Sequence, residues 1–155
     1  MKHTSQENAS QPIDIIGPYY LSDLALLCDV KPETVGRYQT RGCIQFPRIG
    51  AGYDREYKFR DIVHIAVIVE MSRFGIPITN DGVQLSASLA SMAVNGVEHV
   101  AVRKEEDGAL DFWTDIQQGL SGGSCVVLCL GRIMQQIIGR RQRWSPSDNR
   151  CSKII

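Results

Sequence analysis

The stretch that decides the fold is "LALLCDVKPETVGRYQTRGCI", residues 24–44. Leu24, Leu27 and Cys28 fall on one face of a short helix, with Ser22 as its cap and Asp23 in its first turn. Pro32 suits the first position of a second helix, where its missing N–H costs nothing, and Gly42 suits the left-handed residue that ends it. The spacing therefore predicts two short helices joined by a tight turn. Gly36 falls inside the second helix and costs about 1 kcal/mol relative to alanine. Two reasons for it stand open: close packing against the first helix, or close approach of a phosphate backbone.

Working outward, "IQFPRIGAGYDREYKF" (44–59) is extended at both ends around a glycine-rich turn and reads as a β-hairpin. Arg55 and Tyr57 alternate on its outgoing strand and so project from one face. From Arg60 to Phe74 the apolar set Ile62, Ile65, Ala66 and Val69, ended by "SRFG", predicts a buried helix. Asn80, Asp81 and Gly82 read as an interruption, leaving about three helical turns over 83–94. Beyond them "HVAVRKEEDGALDF" predicts two strands, "SCVVLCLGR" a third, and "RIMQQIIGRRQRW" a closing helix with a basic end. The expected fold class is α+β.

Charge is distributed unevenly. The 155 residues carry no formal net charge, so bulk electrostatics name no partner. Between 31 and 60, however, Lys31, Arg37, Arg41, Arg48, Arg55, Lys58 and Arg60 face only Glu33, Asp54 and Glu56. From 79 to 120 the sign reverses. Five cysteines without tight pairing, and no signal peptide, predict free thiols in a reducing cytoplasm. The apolar run "IVHIAVIVEM" is too short and too polar for a membrane span.

Residues 19–78 resemble the DNA-binding domain of the MerR family of transcription regulators, a winged helix-turn-helix. Four motifs carry the resemblance: "LALLCDVKPETV" with Val30, Pro32 and Thr34; Tyr38 followed by Gly42, Cys43 and Ile44; "GYDREY" as the wing; and Asp61–Ile62 opening a helix that closes at "FGIPI". The resemblance implies Thr34, Arg37 and Tyr38 as recognition-helix contacts and Arg48, Arg55 and Tyr57 as wing contacts. In that arrangement helix side chains reach base edges and the wing supplies groups to phosphates. Core packing is the competing reading for Tyr38 and Tyr57. Where the family places an arginine before two tyrosines, this chain has Gly36, Arg37 and Tyr38, so the cation has turned about 100° around the helix.

The expected organisation is a polar arm (1–17), a MerR-like winged helix domain (18–78), a connecting helix (79–96), a small α+β module for sensing or self-association (97–140) and a basic tail (141–155). The implied partners are double-stranded DNA, a second copy of the chain in a homodimer, and RNA polymerase, with no membrane. The implied location is the cytoplasm, on the nucleoid. An excisionase-like architectural factor and a protein adaptor without DNA binding stand as alternatives. No enzymatic role, cofactor or metal is expected. "GLSGG" (119–123) mimics a nucleophile motif but precedes a strand, and every histidine lies before Ser121. Cys125 and Cys129, four apart, are too distant to share a metal on a strand but would be neighbours on a helix, and buried apolar thiols are the favoured reading.

Overall fold

The computed structural model describes residues 19–44 and 57–143. Helices α1 (Leu21–Cys28) and α2 (Pro32–Thr40) are followed by α3 (Phe59–Arg73) and α4 (Asn80–Val94). Strands β1 (His99–Lys104) and β2 (Leu110–Trp113), helix α5 (Ile116–Ser121), strand β3 (Val126–Cys129) and helix α6 (Leu130–Arg143) complete the chain. The class is α+β, with the helices leading and a three-stranded antiparallel sheet of order β2-β1-β3 behind them.

The first helix starts two residues earlier than its sequence cap, Ser22, suggests. Tyr20 is the cap, and the Asp23 carboxylate, 1 % exposed, accepts from the Tyr20 amide at 2.8 Å. A buried carboxylate is tolerable there because the first turn of a helix presents unpaired N–H groups and positive partial charge. Lys58 and Asp61 repeat the device at α3, with the Lys58 amide donating to Asp61 Oδ2 at 2.8 Å. The turn between α1 and α2 is closed by Asp29 in the left-handed region (φ 56°), a conformation that aspartate tolerates better than most side chains. Gly42 takes φ +71° and ends α2 as expected.

Helix α3 is the centre of the molecule. Ile62, Val63, Ile65, Val67, Ile68, Val69 and Met71 are all buried, which explains why its sequence lacks a clean amphipathic stripe. Leu24 and Leu27 of α1, Leu85 and Leu89 of α4, Val100 and Val102 of β1, Leu128 of β3, and Ile133 and Ile137 of α6 join it in one hydrophobic cluster. The apolar segment "CVVLCLGRIMQQII" gives Leu128, Leu130, Ile133 and Ile137 to the interior.

Two expectations need correction. Asn80, Asp81 and Gly82 do not interrupt the connection: they are the first turn of α4, which is 15 residues long with Thr79 as cap. Gly82 is there for space, since a Cβ would collide with the Pro77 carbonyl oxygen. Helix α5 was not expected; the Asp115 side chain caps it by accepting from the Gln117 amide at 2.9 Å. At the other end, α6 runs through Arg143, within the closing helix that "RIMQQIIGRRQRW" predicts.

Candidate nucleic-acid interface

Helix α2 is held by one buried side chain, Val35, which is fully enclosed. Tyr38 and Gln39 flank Val35 and are half-buried, so the opposite face points to solvent. Glu33, Arg37 and Thr40 make up that face at helical spacing, with Arg41 one turn beyond Arg37. Among the described residues neither Arg37 nor Arg41 makes an ion pair. Two exposed guanidinium groups are therefore presented on this face, with Glu33 one turn before Arg37 but not within ion-pair distance among the described residues.

Gly36 lies beside this face. A Cβ built on it meets nothing within 4 Å, so packing against α1 is not its reason. Of the two explanations offered by the sequence, the internal one is removed. Thr34 is half-buried in the first turn of α2, and its amide bonds to the Lys31 carbonyl at 2.9 Å. Tyr38 is divided between core and surface: its ring packs against the hydrophobic cluster, and its hydroxyl lies at the surface 3.4 Å from Ser72 Oγ.

Tyr57 departs from its expected place on the wing. It is 3 % exposed, and its hydroxyl accepts from Gln39 Nε2 at 2.7 Å. Its backbone bridges that of Tyr19 in both directions, at 3.1 and 2.8 Å, and this pairing turns the ring inward under α2. Tyr57 supports α2 from beneath, as the core-packing reading of this residue expects. Arg48 and Arg55, with the rest of the expected hairpin over 45–56, lie outside the described residues.

Arg41 and Lys31, exposed at the two ends of α2, were not among the contacts expected from the sequence. The signal for Arg41 was present, because a residue four positions after Arg37 shares its face. Arg60, although in the same basic stretch, is drawn away to a hydrogen bond with Ser91 Oγ on α4.

Other chemical groups are accounted for structurally. His64 Nε2 lies 2.8 Å from Ser86 Oγ, and that hydroxyl gives its only proton to the Val83 carbonyl at 2.7 Å, so His64 is the donor of the pair. Burial pushes the His64 pKa down, partly offset by Asp61. Burial likewise raises the Cys28 thiol to about 12, and the thiol donates to the Ile62 carbonyl at 3.3 Å. Ser121 Oγ donates to the Gln118 carbonyl at 2.7 Å in the last turn of α5. Among the described residues no cluster of three or more His, Cys, Asp or Glu could hold a metal, and no helix is long and apolar enough to cross a membrane.

Two short helices crossing at a tight turn, the second held from below and bare above, define a helix-turn-helix. Residues 19–80, less than half of the chain, match the family model described as MerR HTH family regulatory protein. This stretch is a MerR-like helix-turn-helix DNA-binding domain, the module of DNA-binding transcriptional regulators. No curated protein matches the chain.

Proposed function

We propose that the protein is a sequence-specific transcriptional regulator whose helix α2 enters the major groove and whose segment 45–56 forms a wing on the flanking phosphates. The observation that carries this reading is the outer face of α2, where Arg37, without an ion pair among the described residues, stands next to Gly36, over which no described atom lies within 4 Å of a Cβ position. A bare glycine lets the helix backbone approach a groove wall. Arg37 then reaches a base edge, and Thr34, Lys31 and Arg41 are placed for the rims of the groove.

Arg48 and Arg55 act on phosphates in this reading. The protein works as a homodimer, so that two half-sites are read at a fixed spacing, in the cytoplasm on nucleoid DNA, where its position alters access of RNA polymerase. Selection of duplexes from a randomised library tests the whole. The account expects a recurrent, two-fold related sequence to be enriched. It further expects Arg48→Gln and Arg55→Gln each to lower the magnitude of the log affinity against log salt slope by about 1. Failure to enrich any sequence would defeat sequence-specific regulation, and unchanged slopes would remove the two arginines from the phosphate set.

A further inference from the structure

The last turn of α6 ends in Arg140, Arg141 and Arg143, more cationic charge than its own helix terminus needs. A helix C-terminus carries roughly half a negative charge, which one cation offsets. Arg143 meets that requirement, donating through Nε to the Gly139 carbonyl at 3.3 Å.

Arg140 does something different. It reaches across 113 positions of sequence to the end of α1, where Nη1 donates to the Leu27 carbonyl at 3.0 Å and Nη2 lies 3.5 Å from Asp29 Oδ2. Leu27 is in the last turn of α1, and Asp29 is the left-handed residue of the turn leading into α2. Arg140 thus uses itself up as an anchor, binding an orphan carbonyl of α1 and the carboxylate of the turn. The anchor brings the rest of the basic turn to the edge of the helix-turn-helix.

Arg141 and Arg143 then stand beside that module, Arg141 over an aromatic ring and Arg143 on a backbone carbonyl of its own helix. The Arg141 guanidinium lies 6.0 Å from the ring centroid of Tyr19, whose backbone pairs with Tyr57 at the foot of the segment 45–56. Arg143 is exposed, and among the described residues neither arginine has a carboxylate partner. Arg141 and Arg143 lie two apart and leave the helix on opposite sides of the anchored Arg140, so this helix end, beside the α1–α2 turn and the Tyr19–Tyr57 bridge, offers one cation on each side to a phosphate backbone running past it.

We propose that the C-terminal turn of α6 is a second phosphate-binding surface, in which Arg141 and Arg143 contact the DNA backbone beside the duplex read by α2 and Arg140 is the positioning residue that docks them. The proposal rests on the reading of α2 as a recognition helix on duplex DNA. It makes the C-terminal module part of the DNA-binding unit through charge and docking. It assigns that module no part in choosing the sequence.

The test is the salt dependence of binding to a short random-sequence duplex, followed by fluorescence anisotropy with the full-length chain. The double variant Arg141→Gln, Arg143→Gln lowers the slope magnitude by about 2, so that between about 50 and 200 mM salt the wild-type protein loses about tenfold more affinity than the variant. Preference for a selected site over random DNA is unchanged, because phosphate contacts carry no base information. Arg141→Lys, Arg143→Lys restores the slope and shows that charge, not the fold of α6, sets it. The single variant Arg143→Gln, at an exposed position, shows about half the effect if the double variant fails to fold.

Slopes in Arg143→Gln and in the double variant equal to that of the wild type would overturn the proposal and leave the role of α2 standing. Loss of sequence preference on substituting Arg37, with α6 variants unchanged, would do the same. A wild-type protein that binds no duplex even at low salt would overturn both.

Discussion

Helices α2 and α3 are neighbours with opposite designs. In α3, seven residues are buried and polar groups are confined to what is left, whereas α2 buries Val35 alone. The first is scaffold, specified by volume and held by contacts on nearly every side. The second is a display element, specified by what it leaves uncovered. On the reading proposed for α2, stability and recognition are kept on separate elements, so that substitutions should sort cleanly between them.

The comparison is broken most forcefully in α3. Ile65→Ala removes a fully buried side chain from the centre of the cluster and should cost about 2 to 5 kcal/mol. Set against a typical total of about 5 to 15 kcal/mol, that is a large fraction, and urea denaturation measures it directly. A loss below about 1 kcal/mol would show that α3 is not the keystone described above.

A smaller and opposite effect is expected in α2. Gly36→Ala places a methyl group where nothing lies within 4 Å, so the helix gains its full propensity, about 1 kcal/mol of stability. DNA binding should weaken at the same time, because the added methyl group stands between the helix and the groove. Stabilisation with unimpaired binding would mean that Gly36 does not face the duplex.

The smallest effect sharpens the contact between α3 and α4. The pKa of His64 is lowered in the folded protein by burial, so folding favours the neutral ring. Its contribution to stability is complete above the ordinary imidazole value near 6.5 and is lost as the pH falls through the lowered folded value. Chemical denaturation of His64→Gln should therefore show a flatter dependence on pH in the acid range than the wild-type protein. Parallel curves would indicate that His64 titrates alike in both states.

Much of this was legible in the sequence for local reasons. Pro32, Gly42 and the apolar positions of α1 and α2 specify the helix-turn-helix within about twenty residues, and each signal concerns its own neighbourhood. What escaped depended on distant partners. Strand alternation left Tyr57 open between wing surface and core, and its inward turn is set by pairing with Tyr19, 38 positions away, and by Gln39. Gly82 looked like a break, because only the fold places the Pro77 carbonyl against it. Helix α5 is too short and too poor in apolar residues to announce itself, and its start rests on a single capping carboxylate. The docking of Arg140 on α1 joins the two ends of the chain, and no pattern in either end foretells it.

The central claim is that the open face of α2 reads DNA, and Arg37 is its most exposed commitment. The direct measurement is the ratio of affinities for a selected site and a random duplex, compared between the wild-type protein and Arg37→Ala at one fixed salt concentration. The account predicts that the substitution reduces this preference by about 1 to 3 kcal/mol, with folding stability within about 0.5 kcal/mol of the wild-type value. An unaltered ratio in a correctly folded variant would contradict it.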